Sequence, residues 1–157
     1  MINQFSSWIL DIVIQDGDFL LREESYSMPF WFVISATGLQ SQFSTPQASF
    51  SFKPVWNFPT RLIIQITDLQ TSYLYFTLCT FEQNGRDVRG VARSRVGLRS
   101  FPIGNPKKIR IPLMNASNAA QLAMSLNVIA SLLPLNNHAS ADPTHAPRPP
   151  PSQFFSH

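Results

Sequence analysis

Phe52-Lys53-Pro54-Val55-Trp56-Asn57, followed by Arg61-Leu62-Ile63-Ile64-Gln65-Ile66, is the stretch on which the fold turns. Leu62, Ile64 and Ile66 alternate with Ile63 and Gln65, the period of a strand with one buried face. Trp56 is large enough to fill the gap between two packed sheets, and Asn57 can hold a turn by bonding its own backbone. These residues predict a strand on the wall of a sandwich.

The same period recurs on both sides of that stretch. Upstream, Trp8, Leu10, Ile12 and Ile14 alternate with Ile9, Asp11, Val13 and Gln15. Phe30 to Ala36 is aromatic and β-branched, and Ala48, Phe50 and Phe52 alternate with Ser49 and Ser51. Downstream, Leu74, Phe76 and Leu78 alternate with Tyr75, Thr77 and Cys79, and Val91 to Leu98 interleaves Arg93 and Arg95 with Ala92, Ser94 and Val96. Ile109, Ile111 and Leu113 then alternate with Lys108, Arg110 and Pro112. The last stretch is Met124, Leu126, Val128 and Ala130, although Ala119 to Leu126 also fits a helix. Eight short strands separated by turn residues such as Gly17, Gly38 and Asn84-Gly85 predict an all-β, eight-stranded antiparallel β-sandwich. Pro112 cannot donate to a ladder, so its strand is expected at an edge or a bulge.

Composition narrows the chemistry. The chain has 157 residues, 44% hydrophobic and only 13% charged, enough apolar surface for one core and too little charge for a solvated, disordered chain. No apolar run reaches the length of a membrane helix, and the N-terminus reads as lacking a secretory signal. Cys79 stands alone, which excludes an internal disulfide and fits a reducing, cytoplasmic setting. All three histidines, His138, His145 and His157, fall in the last twenty residues. The body therefore has no imidazole for a nucleophile pair or a histidine zinc site, and a non-enzymatic module is expected.

Character changes near residue 134. Six of the thirteen prolines lie between Pro134 and His157, without apolar alternation. The reading is a sandwich domain over 1–133 and a disordered, proline-rich tail over 134–157. Pro147 and Pro150, with Arg148 beside them, satisfy P-x-x-P and make the tail a candidate ligand for a proline-recognising domain.

Three stretches resemble the C2 domain, the eight-stranded sandwich of conventional protein kinase C and synaptotagmin. Leu10-Asp11-Ile12-Val13-Ile14, then Ser27-Met28-Pro29-Phe30-Trp31, is similar to the family's opening strand and Ser-Asp-Pro-Tyr signature. Pro54-Val55-Trp56-Asn57 resembles its Asn-Pro-x-Trp-Asn-Glu. Leu74 to Glu82, with Asp87 and Gly90 behind, stands where the family has an Asp-x-Asp loop and an Asp-x-x-Gly. The resemblance covers about residues 5 to 133.

The resemblance implies calcium-coordinating loops, but the residues depart from the pattern. The first-loop positions fall on Arg22 and Met28, and the later ones on Thr80, Glu82 and Asp87. A thioether is a poor ligand for a hard cation and an arginine repels it. Glu23, Glu82 and Asp87 remain as residual candidates for one weakly held calcium ion. The expectation is that no cofactor is bound and the calcium switch is lost.

Positive charge is concentrated in one quarter of the chain. Residues 1 to 60 sum to −3, whereas residues 86 to 110 carry Arg86, Arg89, Arg93, Arg95, Arg99, Lys107, Lys108 and Arg110 against Asp87 alone. With Lys53, these are the candidate contacts to an anionic phospholipid surface or an acidic protein partner. Nucleic acid is not expected, because the basic stretch lacks interleaved aromatics for base stacking. The sequence therefore predicts a peripheral membrane module that works without calcium. The alternative is an adaptor that uses the sandwich surface and the tail.

Overall fold

The computed structural model describes residues 6–20, 28–49 and 51–135. Glu23 and the tail motif Pro147, Arg148 and Pro150 lie outside the described residues. Eight strands follow in order: β1 (Ser6–Phe19), β2 (Phe30–Ala36), β3 (Phe43–Ser44), β4 (Val55–Ile66), β5 (Tyr73–Phe81), β6 (Val88–Gly97), β7 (Lys107–Asn115) and β8 (Asn118–Pro134). They pair antiparallel in the order β3-β2-β5-β6-β7-β8-β1-β4, and this sheet curls into a two-layered sandwich.

Alternation places the core. Leu10, Ile12 and Ile14 on β1, Leu62, Ile64 and Ile66 on β4, and Leu126, Val128, Ala130 and Leu132 on β8 are buried. They face Phe30, Phe32 and Ile34 on β2 and Leu74, Phe76 and Leu78 on β5, all buried as well. Trp56 sits between the layers as its size requires, half-buried, with its ring 5.0 Å from that of Phe32.

The strand expected at Ala48–Phe52 is not one. The strand of that region is the two-residue β3, and Ala48 makes only an isolated bridge to Phe30. The physical reason is a change of layer. Ala48 bonds β2, whereas the carbonyls of Phe52 and Pro54 accept from Phe19 and Gly17 of β1. Its described residues thus bond one sheet at Ala48 and the other at Phe52 and Pro54. Ala119–Leu126, which also fitted a helix, belongs to β8.

Asn57 does not hold a turn. It lies inside β4 with φ +46°, where three steps from Val55 to Phe58 face two steps from Asp16 to Ile14 on β1. That is a β-bulge, and asparagine is among the few residues with a side chain that tolerate the left-handed conformation.

Pro112 behaves as its missing donor demands. β7 pairs with β8 from Lys107 to Asn115, but with β6 only through Ala92–Asn115 and Arg93–Met114. Over most of its length β7 is an edge strand, although it is interior in the order of strands.

Gly38 and Gly104 both hold positive φ, +79° and +95°. A Cβ at Gly38 would run into the carbonyl oxygen of Gln65, while at Gly104 it would meet nothing. Gly104→Ala should therefore lose about 1–2 kcal/mol for the left-handed backbone alone. Gly38→Ala should lose a further ~1–3 kcal/mol from overpacking, read as the difference in urea midpoint between the two variants.

Candidate functional site

β5 and β6 bring the central basic residues to one face. In their ladder Thr77 stands opposite Arg93 and Tyr75 opposite Arg95, while Phe76 and Leu78 point into the core. Arg93 and Arg95 are therefore neighbours on the outward face, and both are exposed. The Arg95 guanidinium lies 4.4 Å from the centre of the Tyr73 ring, and that ring lies 6.3 Å from Tyr75. An exposed cation–π contact of this kind contributes ~0.5–1 kcal/mol, enough to favour one orientation of the side chain.

A groove of about 560 Å³ runs over this face. Tyr75, Thr77, Arg93 and Arg95 form one wall, and Pro112 and Met114 of β7 form the other. None of the described residues that line it is acidic.

The remaining predicted residues divide into three places. Lys107, Lys108 and Arg110 are exposed on β7, and Arg99 is exposed on the 3-10 turn Leu98–Ser100 that leaves β6. β6 and β7 are neighbours only at their two shared pairs, so the two groups of cations border an open seam rather than one flat patch. Lys53, Arg86 and Arg89 lie away from it, at the end of the sandwich where β5 turns into β6 and the segment before β4 crosses between layers. Lys53 and Arg86 are exposed, while Arg89 reaches Glu82 at 3.4 Å. Arg61 cannot add to a basic face, since its Nε and Nη2 donate to the two carboxylate oxygens of Asp11 across β1 and β4 at 2.6 and 3.0 Å. That hydrogen bond holds the Arg61 guanidinium above its ordinary pKa.

Of the carboxylates considered for calcium, Glu82 and Asp87 are engaged with their own loop. The Glu82 N–H donates to the Asp87 carbonyl at 2.7 Å, and Glu82's carboxylate faces Arg89. Asn84 Nδ2 donates to Asp87 Oδ2 at 2.7 Å, while Asn84 Oδ1 accepts from the amides of Arg86 and Asp87. The Thr80 hydroxyl is buried and donates to the Pro29 carbonyl at 2.9 Å. Among the described residues no three His, Cys, Asp or Glu side chains converge. As they stand, these residues do not fit a calcium site, which needs several anionic oxygens turned inward.

Tyr75 and Met114 line the groove without having been expected there, and Pro112 was expected to mark an edge but not to line a groove. Tyr75 and Thr77 carried the right signal, since they alternate with buried Phe76. Their pairing with Arg95 and Arg93 depends on a register that only the folded sheet fixes.

No family model matches the chain, and no curated protein does. Solved structures do. The chain superposes on the first C2 domain of plant extended synaptotagmin 1 with a TM-score of 0.65 at 16% identity, over 82% of this chain and 95% of that one. The fold is that of a C2 domain. Human GIVD cytosolic phospholipase A2 and S. officinalis PLC21 contain the same C2-like arrangement, each with a TM-score of 0.62. Their identities are 18% and 13% over 85% and 87% of this chain. The chain spans only 16% and 17% of those two proteins.

Within this C2 fold Cys79 feels the charge of Arg93. It is 5% exposed, and burial pushes its thiol above the ordinary value of 9.0 while the charge of Arg93 pulls the other way. Because only the thiolate reacts, alkylation of the folded protein should be slow at pH 8 and speed up on unfolding. Arg93→Gln removes the charge that favours the thiolate, so its pH–rate curve should move to still higher pH, measured with iodoacetamide on the native protein.

Proposed function

We propose that the chain is a non-enzymatic binding module that docks peripherally on anionic phospholipid surfaces and needs no calcium to do so. The observation that carries this reading is the adjacency of Arg93 and Arg95 on one outward face, with Lys108 and Arg110 outward on β7 across the seam. Each cation held near an anionic bilayer contributes about 1 kcal/mol, so several acting together give reversible attachment. The guanidiniums add bidentate contact with phosphate that an ammonium cannot make.

Calcium independence is supported by the β5–β6 loop. Glu82 and Asp87 are occupied by Arg89 and Asn84, and the loop carries Arg86 in place of further acidic charge. Peripheral rather than spanning attachment agrees with the helices, none of which among the described residues is long and apolar enough to cross a membrane. A cytoplasmic, membrane-associated location is part of the same proposal.

Co-sedimentation with phosphatidylserine and phosphatidylcholine vesicles, each with calcium and with chelator, tests it. Binding should be confined to phosphatidylserine vesicles and unchanged by chelation. It should fall steeply with added salt, since exposed charges are screened beyond about 10 Å at 0.1 M. Replacing Arg93 and Arg95 together by Gln should reduce it about thirtyfold. Binding that needs calcium, or that ignores the headgroup, overturns the reading.

A further inference from the structure

The seam holds something besides charge. From Lys107 to Leu113, β7 is paired on its β8 side, and no backbone partner meets its other side among the described residues. A proline is accommodated in a ladder when its missing donor faces away from the paired neighbour. In a strand, residues two apart direct their backbone groups to the same side. Pro112 toward the open side thus places the N–H and C=O of Arg110 and Lys108 there as well. The side chains of Lys108 and Arg110 stay exposed on the outward face, while Ile111 and Leu113 fill the core. Across the groove from Pro112 and Met114 of the same strand stand Arg93 and Arg95, and no acidic side chain lines it among the described residues.

We propose that the seam between β6 and β7 takes up an extended acidic segment of a partner protein. The segment adds as a strand to the open edge of β7 and lays its carboxylates against Arg93, Arg95, Lys108 and Arg110. Strand addition draws its affinity from main-chain hydrogen bonds and its specificity from alternate side chains. Here the alternate side chains of the edge are cations, so the segment that fits has an acidic residue at every second position. Positive charge and a proline on an edge are also the devices that stop a strand from pairing with copies of itself. The same residues that repel a second copy of this chain therefore select an acidic strand. The inference uses the cations of the membrane reading but stands apart from it, because it requires the backbone edge and not charge alone.

The test uses the full chain and a short peptide alternating glutamate with valine, with a lysine–valine peptide as control. Amide hydrogen exchange on the complex should show new protection at Lys108 and Arg110, with Ile109 and Ile111 little changed because the β8 ladder already holds them. Arg110→Gln removes charge alone, whereas Arg110→Pro removes charge and the open-side donor. Arg110→Pro should bind the glutamate peptide about tenfold more weakly than Arg110→Gln, with the thermal transitions of both variants compared to confirm folding. Equal affinities for the two folded variants overturn the proposal, and so does binding of the peptide to the unaltered chain without protection at Lys108 and Arg110. Phosphatidylserine vesicles form the second arm. Vesicle binding without peptide binding overturns strand addition and leaves the membrane reading in place. Peptide binding with amide protection but no vesicle binding does the reverse.

Discussion

Ala92 with Asn115 and Arg93 with Met114 are, among the described residues, the only pairs through which β6 and β7 join one half of the sandwich to the other. A backbone hydrogen bond contributes a net ~0.5–1.5 kcal/mol, so a link this short cannot hold two layers together. Burial does that. Each wholly buried side chain such as Phe32, Phe76, Leu10 or Ile12 contributes roughly 1.5–3 kcal/mol, and these alternate along the long strands of both layers. The fold therefore depends on apolar residues meeting across the interior. The hydrogen-bonded seam is free to open where β6 and β7 part, and that opening is where the groove and the unpaired edge lie.

What the sequence made legible follows from the same division. Period-two burial is a local signal, so β1, β2, β4, β5, β6, β7 and β8 were visible in Leu10-Ile12-Ile14, Phe32-Ile34, Leu62-Ile64-Ile66 and their counterparts. Position in the sheet is not local. Ala48 to Phe52 alternates well enough to suggest a strand, yet it crosses between layers, while the true β3 has only Phe43 and Ser44. Asn57 was read as holding a turn, whereas the bulge it occupies depends on Ile14 and Asp16 of β1, far away in the sequence. Pro112 alone pointed to a long-range fact, because a missing donor is a statement about neighbours.

The candidate site was legible as charge and illegible as shape. Residues 86 to 110 stand out as basic in the bare sequence, and the parity of Arg93 with Arg95 and of Lys108 with Arg110 already puts each pair on one face. Which cations remain for a ligand was hidden. Arg61 is neutralised by Asp11 and Arg89 faces Glu82, both through contacts that span turns or strands. Tyr73 and Tyr75 were hidden too, because the contact of Tyr73 with Arg95 and the place of Tyr75 in the groove come from strands that meet only after folding. The family resemblance pointed to the β5–β6 loop, but not to the hydrogen bonds by which Asn84 holds Asp87 and Thr80 reaches the Pro29 carbonyl.

β1 and β8 are antiparallel neighbours, with Trp8 opposite Pro134 and the Leu135 N–H donating to the Ser7 carbonyl at 2.8 Å. The first and last described residues consequently leave the sandwich side by side at the same end. A force applied between them would load that ladder like a zipper, one rung at a time, rather than shearing all its bonds at once. Under tension the domain should part first between β1 and β8, at low force. The Arg93–Arg95 face is held by the β5–β6 ladder, elsewhere in the sheet, and would be the later part to lose its shape.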